Sequence, residues 1–384
     1  MKFYSDNDSL IIYFEGKLSA DNALIIEEEL NNIISSNNPK KIIFDFKDLE
    51  YVSSAGLRVI LKIKKKHDDI EITNVSLEIY DILQMTGFTE MMKVTRMLNE
   101  IDITGASIVG EGYFSTVYRI NKDTIIKVFN RTSDPEQIER ELTRAKQAFV
   151  LGIPTAISFD IVSVGEKLGV RFEMLDCKSL RDSLRDEPNR YNEYMDRYAK
   201  LLKKINTTIC TSTDIPKMKQ SYLDRLNFVK PYFDSKYWDK LFKMISDIKD
   251  VNTFVHGDCH VKNIMVEKDE LLLIDMDTLS VGHPIFELAQ LYASYIAFEE
   301  EEPGNNISFF GLKPEFVSKM FYDLMNDYFD SFDEDKLNKI RILCYLQMAW
   351  WNLINASDNL KWFNGAKKRL AVLLDKYDDL DIGI

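Results

Sequence analysis

Two acids and an amide stand in a fixed order in this chain. Asp258 and Asn263 lie within His256-Gly257-Asp258-Cys259-His260-Val261-Lys262-Asn263, and Asp275 closes Leu271-Leu272-Leu273-Ile274-Asp275 ahead of Met276-Asp277. A carboxylate beside a hydroxyl can take its proton, and amide and carboxylate oxygens are the hard ligands that hold Mg²⁺ against nucleotide phosphates. Asp258 and Asn263 share one short segment, so a loop can aim the first at an acceptor hydroxyl and the second at a metal. Asp275 ends an apolar run that reads as a buried strand, which would fix a metal-binding carboxylate rigidly. The implied chemistry is transfer of a phosphoryl group from a nucleotide. A histidine-containing turn and an ordinary buried strand would explain one such aspartate, but not the ordered set.

A site of this kind needs elements that hold the nucleotide, and they precede it. Gly110-Glu111-Gly112-Tyr113-Phe114-Ser115-Thr116-Val117-Tyr118 reads as strand-turn-strand, with Gly110 and Gly112 letting backbone N–H groups approach phosphates. Lys127 lies in Thr124-Ile125-Ile126-Lys127-Val128-Phe129, a strand whose apolar neighbours bury it in part; a buried ammonium requires an acidic partner. Asp134-Pro135-Glu136 opens a helix with proline in its first turn and acid near its N-terminus, and that helix carries Glu139 and Glu141. Val170 to Leu175 reads as another strand, and after Pro188 the chain turns to long helices rich in Tyr, Phe and Trp. Phe254-Val255 leads into the loop, where His256 and His260 read as hydrogen-bonded braces. Trp350, Trp351, Trp362 and Phe363 read as core, with a cation-binding wall as the alternative.

The pattern His-Gly-Asp-x-His-x-x-Asn with a later Ile-Asp-x-Asp resembles the aminoglycoside phosphotransferase and choline kinase superfamily; protein kinases of the usual type show His-Arg-Asp and Asp-Phe-Gly instead. The resemblance implies a bilobal, protein-kinase-like α+β phosphotransferase domain over 99–384, with an N-lobe at about 104–176 and a helical C-lobe at about 177–384. It implies ATP and Mg²⁺ as cofactors, Asp258 as the catalytic base, and Asn263 and Asp275 as metal ligands. Gly110, Gly112 and Ser115 would cover the phosphates, Ser115 standing where a protein kinase has its third glycine. Lys127 would grip the α- and β-phosphates. Glu141 matches the family's Arg-Glu ahead of Gly152-Ile153-Pro154 and pairs with Lys127, with Glu139 as the alternative. Glu173 takes the hinge position, and the Leu175 N–H would meet adenine. Gly282-His283-Pro284-Ile285-Phe286-Glu287-Leu288-Ala289 resembles the family's Gly-Asp-Pro-x-x-Asp-Leu-Ala, with Glu287 in place of Asp.

The first hundred residues have a different character. Leu10–Glu15, Lys41–Phe46 and Ile70–Thr73 read as strands; Ala20–Ser36, Ala55–Lys66 and Ser76–Met85 read as helices, the first on the spacing of Leu24, Ile25, Leu30, Ile33 and Ile34. This alternation predicts a small α/β domain on a mixed sheet. The turn Leu49-Glu50-Tyr51-Val52-Ser53-Ser54-Ala55-Gly56-Leu57-Arg58 resembles that of the STAS domain of anti-sigma factor antagonists, which carry Asp-Ser-Ser/Thr-Gly-Leu there. The likeness spans residues 1–98 and implies a regulatory domain with a protein partner. It also implies a phosphorylatable serine at Ser54, with Ser53 in place of the family's Asp. Either serine can also serve as a plain helix cap. Residues 99–104 form a short join, and Glu299–Glu302 with Pro303-Gly304-Asn305-Asn306 reads as a solvated loop tip.

The composition narrows the function classes. The 384 residues carry a formal net charge of −13, which disfavours binding to nucleic-acid backbones and weakly favours a cationic substrate. The basic run Lys62–Lys66 reads as a solvated helix face. Four cysteines (Cys177, Cys210, Cys259 and Cys344) show no metal or disulfide spacing, and no signal-peptide core or membrane-length apolar run occurs, so a cytoplasmic protein is expected. The expected function is an ATP:alcohol phosphotransferase acting on a small-molecule hydroxyl, with a regulatory STAS domain. The alternatives are a protein serine kinase acting on a STAS domain and a non-enzymatic, nucleotide-binding partner-switching regulator.

Overall fold

The computed structural model describes every residue except 6–7, 113–114, 131–134 and 356–359, and every side chain but those and 136–137. Tyr113 and Phe114 of the glycine loop, Asp134, and the Glu136 side chain therefore lie outside the described residues. The chain divides into two compact units, Met1–Asp102 and Ile103–Ile384.

In the first unit, strands β1 (Lys2–Ser5), β2 (Ser9–Leu18), β3 (Lys41–Val52), β4 (Ile70–Val75) and β5 (Lys93–Arg96) lie side by side in chain order. The β1–β2 pair is antiparallel and the others are parallel, so the sheet is mixed as expected. Parallel neighbours need crossovers, supplied by α1 (Ala23–Asn37), α2 (Ser54–Lys64) and α3 (Leu77–Met85), with a short α4 (Phe88–Met91) before β5. Leu10, Ile12 and Phe14 of β2 and Ile42, Phe44 and Phe46 of β3 alternate into the core, where Phe14 meets Phe44 and Phe46 edge-on at 5.3 and 5.0 Å.

Two local expectations change. The β3 strand continues through Val52 rather than turning at Leu49, because Tyr51 and Val52 pair with Lys17 and Leu18 of β2. On α1 the inward stripe is Ala23, Leu30 and Ile34, leaving Leu24 and Ile25 77% and 68% exposed. Apolar type alone did not identify the buried face.

The two serines divide their tasks. Ser53 is the N-cap of α2: its Oγ accepts from the Gly56 N–H at 3.2 Å, and its N–H donates to the Leu18 carbonyl at 2.9 Å. Ser54 is the first helical residue and is exposed. Gly56 is demanded by the packing, since a Cβ there would lie 2.6 Å from the Leu18 carbonyl oxygen and 2.5 Å from its Cγ.

The second unit opens with β6 (Ser107–Glu111), β7 (Ser115–Arg119), β8 (Thr124–Phe129), β9 (Ser158–Val164) and β10 (Lys167–Glu173), antiparallel in the order β9-β10-β8-β7-β6. Helix α5 (Pro135–Val150) connects β8 to β9 and packs on β9 and β10. Beyond it the fold is mainly helical, its core carried by Tyr191–Thr207, Ile285–Tyr292, Pro314–Tyr328 and Glu334–Asn355. Two small antiparallel sheets sit among these helices: three strands, Lys178–Ser179, Ile264–Glu267 and Glu270–Leu273, and the pair Phe254–Val255 with Ser280–Val281.

The acidic run is not a solvated tip. Phe298–Glu301 and Asn305–Phe310 are helical; Glu299 accepts from the N–H groups of Gly304 and Asn306 at 2.7 Å, and Glu301 is buried against Arg369. Charge density read from sequence overstated solvation because these carboxylates cap backbone and pair internally. The tryptophans are also engaged: Trp351 stacks on Trp362 at 5.5 Å, and Arg225 covers Trp350 at 4.5 Å.

Gly56→Ala should destabilise the first unit by about 1–3 kcal/mol through overpacking. Ser53→Ala should cost about 1 kcal/mol for the lost cap, while Ser54→Ala should stay within about 0.5 kcal/mol. Hydrogen–deuterium exchange at β2 and β3 in the full chain measures this order; equal effects of the two serine changes would overturn the assignment of Ser53 as the cap.

Candidate active site

Lys127 lies mid-way along β8, between Ile126 and Val128, which point into the core. Its Nζ stands 2.7 Å from Glu141 Oε1 on α5 and 2.7 Å from Asp275 Oδ1. Burial lowers the lysine pKa, but Asp275 and Glu141 together outweigh it, and the net shift is upward. The ammonium is firmly charged. Of the two candidate partners it is Glu141, itself buried, that meets Lys127. Burial raises the Glu141 pKa against the pull of Lys127.

Asp275 is placed by the backbone. The strand Glu270–Leu273 ends two residues earlier than its apolar run suggested, and Asp275 adopts φ 66°, a left-handed conformation uncommon outside glycine but accessible to Asp. Leu273 is fastened to the segment after α5: its N–H donates to the Pro154 carbonyl at 2.8 Å, and its own carbonyl accepts from Thr155 Oγ1 at 2.9 Å. Gly152, at φ 85°, makes the turn that brings Ile153 and Pro154 there. The Asp275 side chain keeps 38% of its surface accessible, and although burial alone would raise its pKa, Lys127 drives it down.

Asp258 and Asn263 meet across the loop between Val255 and Ile264. Asn263 Nδ2 donates to Asp258 Oδ2 at 2.9 Å and to the Asp258 carbonyl at 3.0 Å. With its nitrogen spent on Asp258, the Asn263 amide turns its oxygen away, free to serve as a hard ligand. The Ile274 N–H donates to the Asn263 carbonyl at 2.9 Å, which ties this loop to the Asp275 segment.

The remaining expected site residues fall in three groups. Gly110 lies in β6 opposite Val117 and Gly112 opens the β6–β7 turn, both at negative φ; among the described residues a Cβ at either would make only ordinary contact, at 3.5 Å. The described residues therefore do not demand glycine there. Ser115 is nearly buried, and its carbonyl accepts from the Gly112 N–H at 2.9 Å. At the end of β10 the Glu173 carboxylate accepts from the Ile157 N–H at 2.6 Å, so this side chain fastens the end of β10 to the residue ahead of β9. Leu175 lies just past that strand, and its N–H has no partner among the described residues.

Further residues around the loop were given no site role in the sequence, or only a motif position. Asp277 sits beside Asp275, and its carboxyl is pushed up to about 7 by desolvation and by the Asp275 charge. Arg144, one turn beyond Glu141 on α5, donates to the Asp277 carbonyl. Glu287 is fully buried and accepts from the backbone N–H groups of His256 and Gly257, so it braces the loop despite replacing the shorter Asp. Tyr198 donates to the Cys259 carbonyl and lies 3.0 Å from the Tyr295 hydroxyl, which accepts from the Val261 N–H at 2.9 Å. Tyr295 belongs to a π-helical turn, Ala293–Ala297, and Asn306 Nδ2 donates to its carbonyl at 3.0 Å. The sequence signalled Glu287 through the Gly282–Ala289 motif and Asp277 through the Ile-Asp-x-Asp pattern, and Arg144 only by its i+3 spacing from Glu141; nothing marked Tyr198 or Tyr295. His256 braces the loop as expected: its Nε2 faces the Ile274 carbonyl and its Nδ1 faces the Asp258 N–H, both at 3.2 Å.

Mg²⁺ suits the donors present. The expected ligands Asn263 and Asp275 offer hard oxygen atoms, and among the described residues no group of three His, Cys, Asp or Glu side chains is placed to hold a metal by itself. No helix of the described residues is long and apolar enough to cross a membrane.

Lys127→Met should cost about 3–5 kcal/mol, since it leaves Glu141 buried and unpaired. Adding Glu141→Leu should recover part of that loss; urea denaturation of both variants measures it, and full additivity would overturn the pairing. Burial pushes the Glu287 carboxyl up to about 7 from an ordinary 4.5, against the loop N–H groups that favour its charged form. A folded-state pKa above the unfolded one contributes stability below pH 4.5 that is lost as pH rises through about 7. Glu287→Gln should flatten that decline in denaturation curves taken across this range.

The model of the "Phosphotransferase enzyme family" matches residues 105–308, and that of the "STAS domain" matches residues 1–101. Similar solved structures include a thermostable mutant of aminoglycoside phosphotransferase APH(4)-Ia (12% identity, 70% of this chain and 94% of that one, TM-score 0.49). They also include a choline/ethanolamine kinase family protein from Mesorhizobium loti (13%, 71% and 88%, 0.47). A third is ADP-bound aminoglycoside phosphotransferase APH(2'')-Ib (13%, 78% and 99%, 0.49). With more than half its length matched, the chain belongs to the phosphotransferase enzyme family, preceded by an N-terminal STAS domain.

Proposed function

We propose that this protein is an ATP-dependent phosphotransferase that moves the γ-phosphoryl group to a hydroxyl of a small molecule. The observation that carries this reading is the meeting of Asp258 with Asn263, on a loop tied through Ile274 to Asp275 and thence to Lys127 and Glu141. Asp258 takes the proton of the acceptor hydroxyl as its oxygen bonds to the γ-phosphorus. The bond from that phosphorus to the bridging oxygen breaks, and ADP leaves with the electron pair. Lys127, held by Glu141, grips the α- and β-phosphates. Gly110 and Gly112 leave room for phosphates at the turn, which accounts for glycines the described residues do not demand; Ser115 shapes the same turn. The free Leu175 N–H suits adenine, with Glu173 fastening the end of β10. Asn263 and Asp275 would hold Mg²⁺, which when bound neutralises charge on the phosphates.

The exposed position of Ser54 at the start of α2 supports a regulatory role for the first unit, with Ser54 as its phosphosite and a protein as its partner. A phosphate there would meet free N–H groups and the positive end of the helix dipole. The intact set Lys127, Asp258, Asn263 and Asp275 favours an active enzyme over a nucleotide-binding regulator.

Asp258→Asn should keep Mg·ATP binding and lose about a hundredfold to ten-thousandfold in turnover. Asp275→Ala should lose Mg²⁺-dependent nucleotide binding. ADP release against a panel of small alcohols and sugars, with calorimetry for binding, checks both. Wild-type turnover by Asp258→Asn would refute the assigned base, and phosphate appearing on Ser54 instead of on any small molecule would favour the protein-kinase alternative.

A further inference from the structure

Lys262 stands in the loop that carries Asp258 and Asn263, yet the reaction described above gives it no task. Its side chain is half-buried, and its Nζ lies over the Phe309 ring, 4.2 Å from the centroid. No carboxylate among the described residues reaches it as an ion-pair partner. Asp258 and Asp182 attract the ammonium from farther off, while burial and the Arg181 guanidinium oppose it. Arg181 is committed elsewhere: its Nε meets Asp182 at 3.1 Å and its Nη1 meets the Phe310 carbonyl at 3.4 Å. A half-buried cation with an aromatic face, a cationic neighbour and no anion is electrostatically incomplete.

The neighbourhood has a second open group. His260 is 5% exposed, its Nε2 lies 3.5 Å from Asp258 Oδ1, and its Nδ1 has no hydrogen-bond partner among the described residues. Its ring meets Phe309 edge-on at 5.3 Å, so Lys262, Phe309 and His260 form one cluster beside Asp258. Phe309 itself is 43% exposed, which leaves part of that cluster accessible. In a chain of net charge −13, an anionic small molecule is repelled by the protein as a whole and needs a local cation to hold it.

We infer that the acceptor carries an anionic group, a carboxylate or a phosphate, close to the hydroxyl that is phosphorylated, and that Lys262 beside Phe309 recognises it. This rests on the phosphotransferase reading of the same loop, and it sets aside the cationic substrate that overall acidity suggested. Lys262 acts here as a specificity residue, distinct from the base and the metal ligands.

The test uses the full chain with Mg·ATP and matched acceptors: glycerate, 3-phosphoglycerate and gluconate against glycerol and glucose, with kanamycin as the cationic member. Anionic members should exceed their neutral partners at least tenfold in kcat/KM. Lys262→Met should raise KM for them by roughly ten- to a hundredfold, the worth of a charge-assisted hydrogen bond, while Lys262→Arg retains most of the preference. Preference for neutral or cationic acceptors overturns the inference and leaves the phosphotransferase reading intact. An equal fall in kcat for charged and neutral acceptors also overturns it, because Lys262 would then be serving the transferred phosphoryl group. Absence of transfer to every member counts against the reaction itself. Calorimetric titration of 3-phosphoglycerate into the protein bound to Mg·AMP-PNP then decides the charge question: binding lost in Lys262→Met supports it, and binding that is absent or unchanged overturns it.

Discussion

The second unit depends on keeping one lysine charged away from water. Lys127 carries its ammonium on a strand whose neighbours face the core, and two carboxylates at 2.7 Å make that possible. Each comes from a different element, Glu141 from α5 and Asp275 from the segment after Glu270–Leu273. The ion triad is therefore a joint among three pieces of chain. Triads of this kind add little net stability, because desolvation offsets most of the Coulomb attraction, but losing one member strands the others. Its value here is positional: α5 must sit where Glu141 reaches the strand, and Leu273 must be fastened to Pro154 and Thr155 for Asp275 to approach.

The loop that carries Asp258 and Asn263 is held by a set of buried polar groups. Glu287, Tyr198, Tyr295 and His256 each hold a backbone group or neighbour of the loop from His256 to Asn263. A loop has no ladder of its own, so its N–H and carbonyl groups need such partners when buried. The π-helical turn at Ala293–Ala297 fits this purpose, with Asn306 bonding the Tyr295 carbonyl while the Tyr295 hydroxyl takes the Val261 N–H. Loop geometry at Asp258 is thus set by helices far away in sequence.

The first unit solves a simpler problem. Its sheet and crossover helices follow from alternating apolar residues, and its tightest point is the start of α2, where Gly56 lets the helix approach Leu18 and Ser53 ties the cap to the same carbonyl. That arrangement leaves Ser54 facing solvent at the start of the helix.

What the sequence determined by itself was local or covalently close. Asp258 and Asn263 are five residues apart, so their meeting needs only a loop, and the alternation of β2 and β3 is readable because side chains on a strand reverse face at each residue. Type and spacing also supplied Lys127 and its need for an acid, and the family resemblance favoured Glu141 with Glu139 as the alternative. Tertiary structure decided what required distant chain to converge. It chose Glu141 over Glu139, since the two lie on different faces of α5 and one of them reaches β8. It buried Ala23 and exposed Leu24 and Ile25, because the helix lies on the sheet by the stripe that fits, whatever the hydrophobicity of its flanks. It turned part of an acidic run into caps and a buried ion pair. It placed Lys262 over Phe309, 47 residues away, and left it without an anion. Burial and electrostatic pairing depend on the whole packed surroundings of a side chain, and no window of sequence contains those surroundings.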